Sequence, residues 1–322
     1  MCSMTAGLLH GPTPLEPAER LGKALGLAPG QLWIKRDDLT PLAGGGNKVR
    51  KLDHLCADAL AAGADVLVTG GAPQSNHVRL TAAAARRLGF DVVAVMSGDA
   101  PAHASGNLVV DALLGVELVW TGRASLAEVE AVLDHVARRL SSAGRRPYVV
   151  PVGGANALGS QGYVVAADEL LWQLPNLDLV VVPSSTGGTH AGLAAGLGSH
   201  DRVLGISAAA FVDIEARVGR LANEAAEFAG REPPTGRPNV DMRYDAAGYA
   251  APIDAVAEAM RLAARTEALV LDPVYTGKAL AGLAAGLAEG SVAPSGPVVF
   301  VHCGGAYGLL SEPFGAWAAG SL

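Results

Sequence analysis

The sequence predicts an α/β fold built around mainly parallel sheets. Short runs rich in β-branched residues alternate with alanine-rich helical patterns, and glycine-rich turns join them. The short runs are apolar almost throughout, as expected for strands that helices cover on both faces. A chain of 322 residues, half of them hydrophobic, is long enough for about two domains with sizeable cores.

Six segments are predicted to be strands because each is a short apolar run. They are Asp65–Thr69, Asp91–Met96, Pro147–Pro151, Leu177–Val182, Val203–Ser207 and Pro297–Val301. The predicted helices are Lys51–Ala62, Val78–Leu88, Leu126–Leu140, Ser160–Leu174 and Ala255–Thr266. One face of the first helix carries Leu52, Leu55, Ala59 and Leu60. We expect the segment Gly230–Pro238 to be a surface loop ahead of a segment near an active site.

Composition and charge exclude several classes of protein. Charged residues at 17% and aromatic residues at 5% do not fit a disordered protein or a coiled coil. A net charge of −7 leaves no basic surface for nucleic acid. Cys2, Cys56 and Cys303 lack disulfide or metal spacing, which favours a reducing compartment. Met1–Pro14 has no signal-peptide pattern, and no apolar run reaches the roughly 20 residues of a membrane span. We therefore expect a cytoplasmic globular protein with a small-molecule partner.

The segment Leu42–Lys51, with the sequence LAGGGNKVRK, is the first candidate for chemistry. Its glycines permit positive φ angles and deliver Asn47 and Lys48 to the start of the next helix. A lysine in this place can bind an anion or capture an aldehyde through its amine. The alternative is a solvated helix start in which Lys48, Arg50 and Lys51 face water.

The segment Gly70–Arg79, with the sequence GGAPQSNHVR, directly follows a predicted strand. It places Ser75, Asn76 and His77 at the carboxyl end of that strand, where open α/β sheets bind ligands. The helix N-terminus suits an anion such as a substrate carboxylate. The alternative is ordinary capping of the helix by Ser75 or Asn76.

The segment Pro183–Gly192, with the sequence PSSTGGTHAG, also lies between a strand and a helix. Its small residues can form a concave nest of amides for a phosphate. The nest would consist of Thr186, Gly187, Gly188 and Thr189. A glycine turn without a ligand is the alternative, although this segment is richer in donors than a turn requires.

Two further strand ends carry reactive residue types. The segment Leu271–Leu280 contains Tyr275, and Tyr249 lies upstream. A tyrosine in such a turn can be a general acid or base or a stacking wall, and otherwise packs half-buried. Cys303 follows the last strand and is more typical of a small core residue than of a nucleophile. No histidine has zinc-ligand spacing, so no metal site is expected.

A lysine amine, an anion nest and several polar turns together fit pyridoxal 5′-phosphate, which requires a Schiff-base lysine, an anion cradle and a partner for its pyridine nitrogen. Five motifs occur in the order typical of one family. They are IKRDDLTPLAGGGNKVRKL, GGAPQSNHVR, PVGGANALGSQGY, TGGTHAGL and LDPVYTGKA. From about Pro12 to the C-terminus, the chain resembles the D-cysteine desulfhydrase/1-aminocyclopropane-1-carboxylate deaminase family, whose fold is of the tryptophan synthase β type (fold type II).

The resemblance implies two three-layer α/β domains with mainly parallel sheets. Residues 1–50 and 160–322 would form the large domain that binds pyridoxal phosphate, and residues 51–159 a smaller inserted domain. It also implies a homodimer with an amino-acid substrate.

The resemblance also implies roles for the residues of two motifs. Lys48 would form the Schiff base with the cofactor and then act as the base at Cα. Asn76 would hydrogen-bond the phenolic oxygen of the cofactor. Ser75, Asn76 and His77 would hold the substrate carboxylate, with Ser75 counted among the catalytic residues.

The remaining roles fall on later parts of the chain. Thr186–Thr189 would cradle the phosphate together with Lys51. Tyr249 and Tyr275 would flank the substrate as catalytic residues. Thr276 and Cys303 would contact the cofactor near its pyridine nitrogen.

Two positions separate the activities of the family. Deaminases of the family carry a glutamate at the position of Thr276 and a leucine at that of Cys303, where desulfhydrases carry a threonine. A carboxylate strengthens the electron sink of the cofactor more than a hydroxyl does. Since opening a cyclopropane demands a stronger sink than expelling a β-leaving group, Thr276 favours β-elimination. Gly44, Ser185 and Ala250 depart from the family pattern, so the cavity is expected to differ in shape.

The expected reaction is therefore α,β-elimination from a β-substituted amino acid, with D-cysteine first, giving sulfide, pyruvate and ammonia. L-Cysteate as the substrate and deamination of 1-aminocyclopropane-1-carboxylate are the alternatives. A non-catalytic pyridoxal-phosphate-binding protein is a third. A nucleotide-binding oxidoreductase would require a GxGxxG fingerprint, which the sequence lacks.

Overall fold

The computed structural model describes residues 4–122, 125–312 and 314–319. Residues 1–3, which include Cys2 and the beginning of the segment Met1–Pro14, lie outside the described residues. Cys56 and Cys303 are buried free thiols. Among the helices that the structure describes, none is both long and apolar enough to span a bilayer.

The described residues form ten strands in two sheets. The six-stranded sheet contains β1 (Leu15–Pro17), β2 (Leu32–Lys35), β7 (Leu179–Ser184), β8 (Val203–Ser207), β9 (Asn239–Asp241) and β10 (Val298–Val301), in the order β1-β2-β10-β7-β8-β9. Only the pair β1–β2 is antiparallel in this described sheet. The four-stranded sheet contains β3 (Val66–Gly71), β4 (Asp91–Met96), β5 (Glu117–Trp120) and β6 (Pro147–Val149), in the order β5-β4-β3-β6, all parallel.

Twelve α-helices occur in the described parts of the chain. They are α1 (Glu19–Ala24), α2 (Lys48–Ala61), α3 (Asn76–Leu88), α4 (Asn107–Leu113), α5 (Leu126–Ser142), α6 (Ala157–Gln173), α7 (Gly188–Leu197), α8 (Ile214–Phe228), α9 (Asp254–Glu267), α10 (Thr276–Glu289), α11 (Ala306–Leu309) and α12 (Phe314–Ala319).

Helices cover both faces of each sheet, which explains the nearly continuous apolar strands. Val181 packs with α9 and α10 on one face of the six-stranded sheet, whereas Val180 and Val182 pack with α6 and α7 on the other. In the four-stranded sheet, Leu67 packs with α2 and α3, and Val68 packs with α5. The predicted α/β fold with mainly parallel sheets is confirmed.

The predicted elements are present, with strand ends that differ by at most two residues and helix ends that differ by at most three. Leu60 was expected on the same helical face as Leu52, but it is 46% exposed while Leu52 is buried. The loop at residues 230–238 is largely exposed, as predicted. The short strands β1, β2, β5 and β9 and the helices α1, α4, α8, α11 and α12 were not predicted.

The four-stranded sheet is formed by chain that lies between β2 and β7 of the other sheet. Near the domain boundaries predicted at 50 and 160, α2 and α6 cross closely. A Cβ on Gly162 would lie 2.2 Å from the carbonyl oxygen of Arg50. The division into residues 51–159 and the remainder stays a prediction.

A buried ion network fixes the first turn of α2. Arg50 donates to both oxygens of Asp37 at 2.9 Å and to Glu169 on α6 at 2.9 Å. Lys35 on β2 donates to the same Glu169, and the Tyr163 hydroxyl donates to Asp37 at 2.5 Å. Arg50 is 1% exposed, so a solvated start of this helix is excluded.

Asp111 on α4 is a buried carboxylate whose two oxygens have no hydrogen-bond partner among the described residues. Burial raises the pKa of Asp111 to about 7, although the nearby charge of Arg79 opposes this rise. The folded protein therefore holds this proton more tightly than the unfolded chain, in which an aspartate has a pKa of about 3.9. This contribution to stability is complete below pH 4 and is lost as the pH rises through 7.

We predict that Asp111→Asn removes this pH dependence. Between pH 4 and pH 8 the free energy of unfolding of the wild type should fall, relative to the variant, by up to about 4 kcal/mol. Urea unfolding at several pH values measures the difference. Asp134→Asn, at an exposed position of α5, is the control, and parallel curves for Asp111→Asn and the wild type would contradict the prediction.

Candidate active site

A cavity lies at the carboxyl ends of β3, β7 and β10, between the two sheets. Its wall includes residues from each of the five segments that the sequence analysis singled out. Parallel strands explain this convergence, because their carboxyl ends lie at the same edge of a sheet.

Lys48 lines the cavity as the first residue of α2. The glycine loop before it is tight, since a Cβ on Gly45 would lie 1.8 Å from the carbonyl oxygen of Asp38. The Asn47 amide donates to the carbonyl oxygen of Cys303 at 3.0 Å, which joins this loop to the end of β10. Burial lowers the pKa of Lys48 and thereby enlarges its neutral, nucleophilic fraction.

The start of α3 forms a second part of the wall. The Ser75 oxygen accepts from the Val78 amide at 3.2 Å, so it caps the helix as the alternative interpretation held. Its proton can still be donated to a ligand, and Ser75, Asn76 and His77 all line the cavity. Asn76 is oriented by Asn107, which donates to its oxygen at 3.0 Å. Burial, with the charges of two nearby lysines, lowers the pKa of His77 well below its usual value, so this imidazole is neutral.

The turn before α7 forms a third part. Thr186, Gly187 and Thr189 line the cavity, and the φ of +84° at Gly187 belongs to the left-handed region. The first amides of α7 have no carbonyl within the helix and are available for an anion. Gly188 does not line the cavity. Its lack of a side chain leaves room for the amine of Lys51, since a Cβ on Gly188 would lie 2.8 Å from Nζ of Lys51.

Lys51 is fully buried next to this turn and does not itself line the cavity. Its Nζ donates to the carbonyl oxygen of Gly153 at 3.1 Å. Burial and the charge of Lys48 lower the pKa of Lys51 well below its ordinary value. A bound anion would offset both effects and favour the charged form of this amine.

Tyr249 and Tyr275 form a fourth part of the wall. The hydroxyls of Tyr249 and Tyr275 share a hydrogen bond, and their ring centroids lie 6.2 Å apart at 62°. Burial raises the pKa of Tyr249 to about 12 and that of Tyr275 well above its usual value. Both phenols therefore keep their protons at neutral pH.

Asp272 is a cavity residue that the sequence analysis missed. Its carboxylate accepts from the amides of Val274, Tyr275 and Thr276 at 2.8–2.9 Å. Burial raises its pKa, although these hydrogen bonds oppose the rise. The signal in the sequence is the aspartate before the proline in LDPVY, which lies four residues before the first residue of α10 and therefore does not match an ordinary helix cap.

Thr276 and Cys303 are placed differently from one another. Cys303 lines the cavity, and burial raises the pKa of its thiol. Thr276 is fully buried but is not on the wall. Its hydroxyl donates to Asp272 at 2.6 Å and accepts from the Asp272 amide at 2.9 Å, so Thr276 faces the carboxylate.

At Gly44, one of the positions expected to change the shape of the cavity, the ring of Tyr307 occupies the space that a side chain would need. A Cβ on Gly44 would lie 2.3 Å from Cε2 of Tyr307. The guanidinium of Arg79 lies 5.1 Å from the centroid of the same ring and donates to the carbonyl oxygen of Gly45 at 3.1 Å.

The chain is similar to known proteins over most of its length. The sequence model of a family described as pyridoxal-phosphate dependent enzyme matches residues 7–304. D-Cysteine desulfhydrase of Salmonella typhi is 42% identical over 318 residues, covering 94% of each chain, and that of Salmonella choleraesuis is 41% identical over the same shares.

Solved structures show the same similarity over most of the chain. A structure described as an ACC deaminase homologue matches with a TM-score of 0.88 and 35% identity, covering 96% of this chain and 94% of its own. Maize serine racemase matches with a TM-score of 0.63 at 18% identity, covering 91% and 88%, which shows a likeness of fold.

The residues of the cavity fit pyridoxal 5′-phosphate. A lysine with a lowered pKa can capture its aldehyde, and the turn before α7 offers amides for its phosphate. Because Gly188 has no side chain, the buried amine of Lys51 can lie directly behind that turn.

We predict that Gly188→Ala weakens cofactor binding by roughly tenfold or more, because the added Cβ would press against Lys51 and displace the turn. Absorbance titration of the apoprotein with pyridoxal phosphate measures the dissociation constant. Gly219→Ala on α8, whose Cβ would meet no atom closer than 3.3 Å, is the matched control. Unchanged affinity in Gly188→Ala would show that this turn does not hold the cofactor.

Proposed function

Because the chain belongs to the family of pyridoxal-phosphate dependent enzymes, we propose that it is a lyase that eliminates the β-substituent of an amino acid, with D-cysteine as the first substrate. The products would be sulfide, pyruvate and ammonia. The observation that carries the proposal is that Lys48, the amide nest before α7 and the start of α3 line one cavity. The 42% identity with a D-cysteine desulfhydrase supports the choice of substrate.

When bound, pyridoxal phosphate supplies an electron sink for the α-carbon of the amino acid. Lys48 would hold its aldehyde end, and Asn76 its phenolic oxygen. The turn Thr186–Thr189 would hold its phosphate, and Lys51, which lies behind the cavity wall, would add positive charge once the anion is bound. The lowered pKa of Lys48 leaves a neutral amine that can take the proton from Cα.

The substrate carboxylate would bind at the start of α3. The positive end of the helix dipole and the proton of Ser75 suit a carboxylate there. His77 is neutral, so it would contribute a hydrogen-bonding group and not a positive charge. Binding at this point fixes which bond of the α-carbon faces Lys48.

The tyrosine pair would serve the leaving group. One phenol donates to the other, which leaves one phenolic proton that can donate a hydrogen bond to a departing sulfur. The raised pKa values of Tyr249 and Tyr275 keep both groups protonated, so they would stabilise the leaving sulfide by hydrogen bonding and keep their protons.

The polar groups beside Asp272 bear on the choice between elimination and ring opening. Where deaminases of the family carry a glutamate, this chain has Thr276, and its hydroxyl proton is donated to Asp272. With Cys303 protonated by burial, we expect a weaker electron sink than a direct carboxylate would give. This favours expulsion of a good β-leaving group.

The alternative function is deamination of 1-aminocyclopropane-1-carboxylate, which the likeness to an ACC deaminase homologue favours. L-Cysteate is an alternative substrate for the same elimination. The proposal also includes a cytoplasmic homodimer in which residues 51–159 form the smaller domain, as the resemblance implies. Sedimentation equilibrium tests the oligomeric state.

A panel of amino acids tests the proposed reaction. We predict that D-cysteine yields pyruvate and sulfide in equal amounts, at a rate above those with L-cysteine, L-cysteate and 1-aminocyclopropane-1-carboxylate. Lactate dehydrogenase coupling measures pyruvate, and methylene blue measures sulfide. Formation of 2-oxobutyrate from the cyclopropane substrate, with no sulfide from D-cysteine, would establish the deaminase instead.

The variant Lys48→Ala tests the proposed role of this lysine. Borohydride reduction of the wild-type holoenzyme should leave a pyridoxyl group on Lys48, detectable by peptide mass spectrometry. In Lys48→Ala we expect the visible absorbance of the bound cofactor and the turnover to be lost. Lys23→Ala, at an exposed position, is the control. A variant at position 48 that keeps its absorbance and turnover would remove Lys48 from this role.

A further inference from the structure

Arg217 on α8 contacts the anion-binding turn from outside the cavity. Its Nε donates to the carbonyl oxygen of Thr186 at 3.1 Å. Its two terminal nitrogens donate to the carboxylate of Glu130 at 2.9 and 3.2 Å. The guanidinium carbon lies 4.3 Å from the centroid of the Phe211 ring. The side chain of Arg217 is 12% exposed. It is held by the hydrogen bond to Thr186, the bidentate ion pair with Glu130 and the contact with the Phe211 ring.

The contact to Thr186 sets the direction of an amide. In a trans peptide the C=O and the following N–H point in opposite directions. Because the Thr186 carbonyl is directed at Arg217, the Gly187 amide of the same peptide is directed away from Arg217. Both Thr186 and Gly187 line the cavity, so the arginine orients a donor of the nest without touching the cavity itself.

The ion pair between Arg217 and Glu130 connects two helices that pack on different sheets. Glu130 lies on α5, which packs on the four-stranded sheet, whereas Arg217 lies on α8 beside the six-stranded sheet. Leu126, the first residue of α5, lines the cavity, and it belongs to the same hydrophobic cluster as Phe211. One guanidinium therefore joins the turn before α7 to a helix whose first residue lines the cavity.

Charge supports the same assignment. The positive charge of Arg217 is close enough to lower the pKa of Lys51, after the larger effects of burial and of Lys48. Arg217 thus adds to the positive potential behind the turn, and Glu130 partly offsets it. An anion bound in the nest would be stabilised by the remaining positive potential.

We propose that Arg217 is a positioning residue for the cofactor phosphate and that its ion pair with Glu130 couples occupancy of the nest to the ordering of α5. This inference rests on the phosphate placement proposed above. It does not depend on which amino acid the enzyme consumes, and it adds a residue outside the cavity to the determinants of cofactor affinity.

The test compares two ligands on the full-length apoprotein: pyridoxal phosphate and pyridoxal, which lacks the phosphate. For Arg217→Met we expect the dissociation constant of pyridoxal phosphate to rise about tenfold, the worth of a charge-assisted hydrogen bond, and that of pyridoxal to stay unchanged. Arg217→Lys should recover part of the loss. Arg220→Met, which removes an exposed pair with Glu224 on the same helix, is the control.

Glu130→Gln tests the coupling. This variant keeps the contact of Arg217 to Thr186, so its affinity for pyridoxal phosphate should stay within about threefold of the wild type. In the wild type, pyridoxal phosphate should slow hydrogen exchange in α5. We expect that protection to be lost in Glu130→Gln and in Arg217→Met.

Each possible outcome either supports or overturns the proposal about Arg217. Equal weakening of pyridoxal and pyridoxal phosphate in Arg217→Met would show a merely structural arginine and overturn the proposal, as would unchanged affinity or unchanged protection of α5. If Gly188→Ala weakens pyridoxal phosphate while Arg217→Met does not, the phosphate placement stands and this inference fails. If neither variant changes affinity, the placement itself fails.

Discussion

The geometry of the site depends on the buried pairing of Arg50 with Asp37 and Glu169. Charges taken out of water are tolerated only when they are fully paired and hydrogen-bonded, so such a network accepts few arrangements. Arg50 is two residues beyond Lys48, and its partners belong to the connection after β2 and to α6. The first turn of α2, and with it the amine of Lys48, is therefore fixed relative to the six-stranded sheet.

The cavity has an electrostatic character opposite to that of the whole chain. The protein carries a net charge of −7, yet α2, α3, α7 and α10 all begin at this cavity. Helix N-termini present free amides and the positive end of the dipole, which suits a ligand bearing phosphate and carboxylate groups. Among the cavity-lining residues that the structure describes, Asp272 is the one carboxylate, and four local donors satisfy it.

The sequence was sufficient for the sheets' central strands and for the turns that carry Lys48, Ser75 and Thr186, because local patterns of apolar runs and glycines specify them. The very short β1 and β9 offer too few residues for a periodicity. Arg50 could be read as solvated, because its partners Asp37 and Glu169 lie 13 and 119 positions away in the chain. The hydrogen bond from the hydroxyl of Thr276 to Asp272 is a contact that motif comparison does not reveal, and the place of Thr276 beside the cofactor stays a prediction.

The ring of Tyr307 occupies the volume that a side chain at position 44 would need. The two positions are far apart along the chain yet share one space, so a larger side chain at one requires a smaller one at the other. A side chain introduced at position 44 would meet the ring, and the φ of +82° at Gly44 would add backbone strain. A substitution at position 44 is therefore expected to be tolerated only together with a change at Tyr307.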